Sequence, residues 1–272
     1  MKKLVFGLAL GVISSSFLIE RNKEIPVTKN ISYGKGEELE YRVNLAFFTV
    51  GKAITRVDNR YHNINSRTCY KVDAYGETSS WISWVARVDD NWGAYVDTAT
   101  LTTQVSYRKL KEGSYRRDEL MNFDQQNNKV EVRVKNKETG VYEEPKVYDV
   151  PKNSKDLVAG FLFLRIVDFS KIPKGDTISI SGFFEDAFYH LKIIYQGKEV
   201  VSTKVGKINC VRLRPIMPDN KMFDGENSIL CWVSDDLNRI PVKMQARMFI
   251  FGTTGLELTS VKGLRNQLNI VH

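Results

Sequence analysis

The residues of this chain whose types could carry out acid–base chemistry are Glu185, Asp186 and His190, in the segment "FFEDAFYHL". A carboxylate beside a histidine can orient the imidazole as a general base. The segment reads as a hairpin with both carboxylates at its tip, which puts His190 roughly 13 Å away along the next strand. No nucleophile, G-x-S-x-G elbow or phosphate-binding loop accompanies them. The sequence therefore predicts a protein that is not an enzyme and uses no cofactor, with a hydrolase at this segment as a minor alternative.

A second candidate site lies in "SSWISWVARVDDNWGAYVD", which begins at Ser79 and holds three of the four tryptophans. The spacing predicts a short helical turn with Trp81 and Trp84 on one side, followed by a strand that carries Trp92 and Tyr95. Large aromatic rings often fill the ends of barrels. They would also suit the lip of a groove that accepts a lipid chain, a peptide or a sugar. These four aromatic residues are the predicted ligand- or partner-binding residues.

Adjacent carboxylates occur at Asp89 and Asp90 and again at Asp235 and Asp236. Neighbouring side chains of a strand point to opposite faces, so such a pair does not converge on one atom without a turn or a bulge. The second pair falls in a predicted turn, where capping of backbone N–H groups is the simpler role. Calcium would need several more oxygen ligands. We therefore predict no metal site.

Three cysteines are present, at Cys69, Cys210 and Cys231. Cys210 and Cys231 both lie in strand-like segments, where an unpaired cysteine behaves as a small apolar residue. A disulfide between Cys210 and Cys231 is the alternative, since export would permit it. No CxxC or HxxxH spacing suggests that the cysteines or histidines bind zinc.

The charge pattern argues against nucleic acid as a partner. The 272 residues carry a net charge of +8, but the 40 basic and 32 acidic residues are interleaved along the chain. Such a pattern is typical of a solvated surface and not of a basic stripe that follows phosphates. A peripheral contact with an anionic membrane surface stays open.

The N-terminus has the pattern of a secretory signal. Lys2 and Lys3 precede an apolar segment that begins at Leu4, and small residues follow at Ser14 and Ser16. We expect a signal peptide and short leader over residues 1–21 and a periplasmic or secreted mature protein. The alternative is an uncleaved anchor in the inner membrane, for which the apolar segment is slightly short.

The rest of the chain predicts a single antiparallel β domain over residues 34–263, after a linker at 22–33 and before a tail at 264–272. Apolar residues alternate with polar ones from Leu39 to Phe47, and similar strands recur about every dozen residues, among them Thr177 to Phe184, Phe188 to Tyr195 and Glu199 to Val205. Asp97 and Asp124 each follow an apolar strand end, where an aspartate can accept a hydrogen bond from a turn N–H two residues on. Gly51 is expected to form the first turn. One apolar helix interrupts the strands near 156–169, with Ser154 as its expected cap. The predicted fold is mainly β, with a large, strongly curved antiparallel sheet, either a β-spiral or an open barrel-like roll, around this central helix.

Three stretches carry a resemblance to a known family. They are "GEELEYRVNLAFFTVGKA", "DLVAGFLFLRIVDFSKIPKGDT" and the pair "GKINCVRLRPI" and "WVSDDLNRIPVKMQARMFIFG". Together they resemble the exported bacterial domain-of-unknown-function family 3108, from about Gly34 to Gly263. The architecture also resembles, more faintly, the β-spiral envelope-integrity proteins of the periplasm. The resemblance implies an exported protein with a curved sheet, and it supplies no catalytic residues.

We expect a non-catalytic protein of the cell envelope that binds a protein or peptide through a groove or a free strand edge. The alternative is a periplasmic carrier of a lipid or another apolar ligand, which requires a cavity inside the sheet. The two hypotheses differ in whether the central helix fills the sheet.

Overall fold

The computed structural model describes residues 29–84, 87–216, 225, 227–248 and 252–271. Within these residues the chain forms one antiparallel sheet of fifteen strands and one α-helix, α1 (Leu157–Leu164). A short 3-10 turn follows at Phe169–Lys171. The strands are β1 (Glu38–Leu45), β2 (Phe48–Ile64), β3 (Arg67–Thr78), β4 (Asp89–Asp97), β5 (Thr103–Glu112), β6 (Tyr115–Asp124), β7 (Lys129–Val134), β8 (Lys146–Asp149), β9 (Thr177–Phe184), β10 (Ala187–Thr203), β11 (Gly206–Ile216), β12 (Ile229–Ser234), β13 (Pro241–Met248), β14 (Gly252–Lys262) and β15 (Ile270–Val271). The predicted fold class is confirmed.

The two edges of the sheet approach each other in space. The strand order is β8-β7-β6-β5-β4-β3-β2-β1-β14-β13-β12-β11-β10-β9, with β15 beside β11. The two outer strands, β8 and β9, are consecutive in the chain, and the segment that joins them contains α1. The aromatic rings of Tyr148 on β8 and Phe183 on β9 lie 5.2 Å apart between centroids. Lys155 forms a parallel bridge with Gly182 of β9. The sheet is therefore an open roll whose edges approach each other next to the helix.

Alternation of apolar and polar residues decides which side of each strand faces inward. On β1, Leu39 and Tyr41 are buried while Glu38 and Glu40 are partly exposed. Burial of a large apolar side chain contributes about 1.5–3 kcal/mol, so this arrangement strongly favours one register. One buried cluster joins the helix to the sheet. It consists of Val158, Ala159 and Leu162 of α1 together with Tyr33, Val57, Tyr70, Val72, Ala94, Val96, Leu101 and Ile166.

The helix begins one residue later and ends five residues earlier than expected. Asp156, not Ser154, is its N-cap, and the Asp156 carboxylate accepts hydrogen bonds from the backbone N–H groups of Val158 and Ala159. The backbone N–H of Arg165 bonds to the carbonyl of Leu162, a 3-10 pattern that ends the α-helix. The expected helix at 156–169 is thus an α-helix of 8 residues followed by tighter turns.

Two glycines lie inside strands where the sequence suggested turns. Gly51 belongs to β2, and a Cβ there would lie 2.4 Å from the carbonyl oxygen of Glu77 on β3. The turn is formed instead at Ala46, with φ +50°. Gly197, with φ +100°, lies at an irregularity within β10, which the sequence suggested were two separate strands. The close approach of the β3 backbone explains the glycine at position 51, and the irregularity of β10 explains the glycine at position 197.

Parts of the predicted linker and of the predicted tail pack on the roll. Ser32 and Tyr33, at the end of the predicted 22–33 linker, are completely buried. In the predicted 264–272 tail, the side-chain amide of Asn266 donates to the carbonyl of Ile31, and β15 pairs with β11. The predicted signal peptide at 1–21 lies outside the described residues.

Candidate functional site

The structure places Trp81 and Trp84 on the exposed turn between β3 and β4. The indole N–H of Trp81 donates to the carbonyl of Thr49 on β2 over 3.2 Å. The indole N–H of Trp84 donates to the carbonyl of Trp81 over 3.0 Å. Both rings are largely exposed. The expected helical turn therefore brings these two tryptophans together, on the outside of the roll.

Trp92 lies elsewhere and has a packing role. Its ring stacks on Phe184 with the centroids 5.6 Å apart and an angle of 28° between the planes. The guanidinium of Arg108 lies 5.4 Å from the Trp92 ring and 5.3 Å from the Phe184 ring. A buried carboxylate, Glu119, holds Arg108 from the next strand with a nitrogen-to-oxygen distance of 2.7 Å. Trp92 therefore connects the middle of the sheet with the β9–β10 hairpin.

Tyr95 is three residues further along β4 and so faces the other side of the sheet. Its ring packs against Tyr107, at 6.2 Å between centroids, and against His62, at 5.4 Å. Beside it the hydroxyl of Tyr107 donates to Asp73 over 2.5 Å. The four predicted binding residues therefore do not form one site: Trp81 and Trp84 lie together, whereas Trp92 and Tyr95 are on opposite faces of β4.

Two exposed phenylalanines lie at the neighbouring β1–β2 hairpin. The sequence pattern placed Phe47 on the buried face of the first strand, which is wrong, because β1 ends at Leu45 and Phe47 lies in the turn. Phe47 is 99% exposed and Phe48 is 67% exposed. The hydrogen bond from Trp81 to Thr49 joins this hairpin to the tryptophan turn. We call Phe47, Phe48, Trp81 and Trp84 the aromatic rim. The sequence did contain an indication of this patch, because two adjacent phenylalanines stand at a strand end where polar turn residues are usual.

A cleft of about 570 Å³ opens beside the aromatic rim. Trp81 borders it, because Ser80 and Thr49 both line the cleft. Polar residue types predominate in its lining, although the lining exposes polar and apolar surface about equally. The lining residues are Glu40, Tyr41, Arg42, Thr49, Gly51, Lys52, Ala53, Ile54, Glu77, Thr78, Ser79, Ser80, Lys204 and Thr259. One ion pair lies within it, between Lys52 Nζ and Glu77 Oε1 at 2.8 Å. Hydroxyl groups, charges and backbone are the chemistry that this cleft offers to a ligand.

The carboxylates and histidine of "FFEDAFYHL" do not converge. Glu185 and Asp186 form the tip of the β9–β10 hairpin, with φ angles of +49° and +60°. His190 pairs in the ladder with Ser181, and its Nδ1 lies 3.5 Å from the Ser181 hydroxyl. The Glu185 carboxylate faces Arg108 and not His190, with Oε1 of Glu185 3.5 Å from Nη1 of Arg108. These residues stabilise the hairpin and offer no arrangement for general-base chemistry.

The adjacent carboxylates have separate structural partners. Asp235 forms an ion pair with Lys198 at 2.6 Å. Asp236 accepts hydrogen bonds from the backbone N–H groups of Asn238 and Arg239, which confirms the predicted capping role of this turn. Within the described ranges, no group of three or more histidine, cysteine or acidic side chains is arranged to hold a metal ion.

All three cysteines are free thiols, and no bridge joins Cys210 to Cys231. In the β11–β12 ladder Cys210 pairs with Ser234, while Cys231 pairs with Leu213. This offset of three positions turns the two thiols toward opposite faces of the sheet. Burial raises the pKa of both thiols to about 12. They act as small core side chains.

Comparison with solved structures places the fold among barrel-like proteins of unknown function. The chain is similar to a β-barrel-like protein of the DUF1849 domain from Brucella abortus, with a TM-score of 0.53, 10% identity and coverage of 88% of this chain and 98% of that one. It also matches a proposed exported protein with a YmcC-like fold from Bacteroides fragilis, with a TM-score of 0.32, 10% identity and coverage of 88% and 100%. A proposed lipoprotein from Parabacteroides distasonis gives a TM-score of 0.32, 12% identity and coverage of 88% and 97%.

No curated protein matches the chain by sequence. In the part of the chain that the structure describes, no helix is both long and apolar enough to cross a bilayer. Residues 40–259 match the family described as "Protein of unknown function (DUF3108)". This match spans most of the chain and confirms the resemblance seen in its sequence motifs. The chain therefore belongs to the DUF3108 family.

Proposed function

We propose that this chain is a non-catalytic, exported binding protein that holds a protein or peptide of the cell envelope in the cleft beside Trp81. The observation that carries the proposal is the position of an exposed tryptophan at the border of a polar cleft of about 570 Å³. This volume is within the range of ligand sites, about 300–1,000 Å³. A tryptophan supplies a large contact area at little entropic cost, as at many protein interfaces.

The lining of the cleft favours a polypeptide over an acyl chain. Ser79, Ser80 and Thr49 offer hydroxyl groups, and Glu40 and Lys204 offer charges of both signs. An extended peptide presents N–H and C=O groups that such a lining can satisfy, whereas an acyl chain would leave these polar groups unpaired. The lipid carrier is therefore the weaker hypothesis.

The interior of the roll supports the same choice. The apolar face of α1, with Val158, Ala159 and Leu162, packs against the inner side chains of β3 and β4. These residues occupy the position where a carrier would need space for an apolar ligand. The open edge at β8 is also a weaker candidate, because it is only 4 residues long and begins with an exposed lysine, features that discourage strand addition.

Export is part of the proposal and is supported by the sequence of residues 1–21, with its two lysines, apolar segment and small residues. A periplasmic or secreted location would give the cleft access to envelope proteins. The same segment retained as an inner-membrane anchor would place the roll at the outer side of that membrane.

Site-specific photo-crosslinking in the exporting cell tests the proposal. A photoreactive residue replaces Ser80 at the cleft, and a control replaces the exposed Asn127 in the β6–β7 turn. We expect the Ser80 probe to give a discrete adduct with one envelope protein or peptide, and the Asn127 probe to give none. Trp81→Ala in the Ser80 probe chain should reduce that adduct, because the ring borders the cleft.

Mass spectrometry of the Ser80 adduct distinguishes the alternatives. A polypeptide of defined sequence supports the proposal, and a lipid mass would replace it with the carrier hypothesis. Equal adducts at Ser80 and Asn127, or an adduct unaffected by Trp81→Ala in a folded chain, would contradict the assignment of the cleft.

A further inference from the structure

The aromatic rim contains the three most exposed large apolar side chains among the described residues. Phe47 is 99%, Trp84 is 83%, Phe48 is 67% and Trp81 is 55% exposed. Phe47 and Trp84 lie on turns, outside the strands that flank them. Single exposed apolar residues are common in proteins, but four aromatic rings on two adjoining turns form a patch that a soluble surface rarely leaves uncovered.

Hydrogen bonds hold the two turns together as one surface. The backbone N–H of Ser79 donates to the carbonyl of Val50 over 2.8 Å, next to the bond from Trp81 to Thr49. The indole N–H of Trp84 is also satisfied by a carbonyl of the same turn. Both indole donors therefore have partners inside the protein. The rings can enter a medium of low polarity without the cost of an unpaired N–H.

Two exposed arginines accompany the rim. Arg87 follows Trp84 by three positions, and its side chain has no ion-pair partner in the described part of the chain. The side chain of Arg247 also has no ion-pair partner among the described residues. Arg247 pairs with Thr253 in the β13–β14 ladder. The carbonyl of Thr253 accepts a hydrogen bond from the backbone N–H of Ala46 in the β1–β2 turn. At the usual strand spacing, Arg247 is about 10 Å from that turn. The end of the roll thus combines exposed aromatic rings with unpaired guanidinium groups.

This combination suits the surface of an anionic bilayer better than it suits a protein. The rings of Phe47 and Trp84 are almost fully exposed and so make few contacts with the rest of the chain, whereas a protein hot spot is usually well packed in a complementary pocket. Tryptophan and phenylalanine partition into the interfacial layer of a membrane, and arginines close to the surface pair with lipid phosphates. We propose that the aromatic rim docks the roll onto an anionic lipid bilayer, with Phe47, Phe48 and Trp84 inserted among the headgroups. Trp81 belongs to the rim and also borders the cleft, but the three inserted rings do not line the cleft, so this inference does not depend on the ligand proposed there.

Quenching of tryptophan fluorescence by brominated lipids tests the proposal on the full exported chain. The vesicles contain brominated phosphatidylcholine with phosphatidylglycerol, and a second set contains brominated phosphatidylcholine alone. Trp81 and Trp84 serve as reporters, because Trp232 is buried and Trp92 is packed against Phe184. We expect strong quenching on the anionic vesicles and weaker quenching on the neutral ones, with added salt reducing the difference.

The variant Phe47→Ser/Phe48→Ser removes the inserted rings and keeps both reporters. We expect it to lower the apparent vesicle affinity about tenfold or more, since the rings supply most of the buried apolar area. The matched control is Val200→Ser/Leu237→Ser, which removes two exposed apolar side chains that lie outside the rim. This control should bind as the original chain does, and all variants share the same N-terminal segment.

Three results would overturn the proposal. One is the absence of quenching on both kinds of vesicle, and another is quenching that Phe47→Ser/Phe48→Ser leaves unchanged. The third is self-association of the chain in place of vesicle binding. Light scattering without lipid would detect it, and Phe47→Ser/Phe48→Ser would abolish it. That result would assign the rim to contact with a second copy of the chain. Equal binding to neutral and anionic vesicles would overturn the contribution of Arg87 and Arg247.

Discussion

The guanidinium of Arg165 lies against the carboxylate of Glu37, a residue 128 positions earlier in the chain, with Nη2 and Oε2 2.8 Å apart. Both side chains are almost completely buried. The same guanidinium donates to the carbonyl of Asn238 over 3.0 Å and to the carbonyl of Ser32 over 3.2 Å. Arg165 therefore joins the segment after α1, the start of the domain and the β12–β13 turn.

Arg165→Met should lower the free energy of unfolding by about 3–5 kcal/mol, because it leaves the buried carboxylate of Glu37 without its partner. Chemical denaturation measures the change. The matched control is Arg56→Met, which breaks an exposed ion pair with Glu38 and should cost about 1 kcal/mol or less. Similar losses for the two variants would show that the buried pair has no special role in stability.

Asp156 gives the stability a defined dependence on pH. Burial raises the pKa of its carboxyl from 3.8 to about 6 in the folded chain. Between these values the folded state holds a proton that the unfolded state has lost, so stability from this group is present at low pH and is lost as the pH rises to about 6. The loss is about 3 kcal/mol, at roughly 1.4 kcal/mol for each pH unit.

Asp156→Asn removes this titration and keeps an N-cap residue. We expect the difference in unfolding free energy between the original chain and the variant to change between pH 4 and pH 6 and to be constant above that range. Denaturation curves at several pH values measure it. A constant difference across the whole range would contradict a raised pKa at Asp156.

The tryptophans of the β3–β4 region should differ in their contribution to stability. Trp92→Ala is expected to destabilise the fold by about 3–5 kcal/mol, because the ring is packed between other side chains of the sheet. Trp84→Ala should change stability by about 0.5 kcal/mol or less, since its ring is exposed. Thermal and chemical unfolding of the two single variants compares them directly. Equal losses would be incompatible with the observed burial.

The thiols should be protected in the native protein. Burial raises the pKa of Cys69 to about 11 and that of Cys210 to about 12, so little thiolate is available for alkylation. We expect very slow reaction with iodoacetamide at neutral pH, and labelling of all three cysteines after unfolding without a reductant. Mass spectrometry counts the labels. A single label on the unfolded, unreduced chain would reveal a disulfide.

The turns show what the sequence can predict. Asp97 and Asp124 are the last residues of β4 and β6, and both accept hydrogen bonds from backbone N–H groups two and three residues ahead. These contacts are local, so residue type and spacing are sufficient to predict them. The strand at Thr177–Phe184 was predicted with its correct bounds for a similar reason, since its alternation and the flanking turns are visible in the sequence.

The interactions that the sequence could not predict depend on distant parts of the chain. Nothing in the local pattern at Gly51 shows that the backbone of β3 approaches it closely. The pairing of Arg165 with Glu37 likewise depends on the curl of the whole sheet. The sequence correctly grouped Trp81 with Trp84, but it could not show that Phe47 lies on the adjoining turn. Register and curvature decide such contacts, and both are properties of the assembled sheet.

The pairing of β1 with β14 affects when this protein can fold. The Lys262 ammonium donates to the carboxylate of Glu38, which is 224 positions earlier in the chain, and the two strands pair along the length of β1. Contacts of such high sequence separation form slowly, because a long loop must close before they contribute. One edge of β1 therefore has no partner until almost the entire chain has been synthesised.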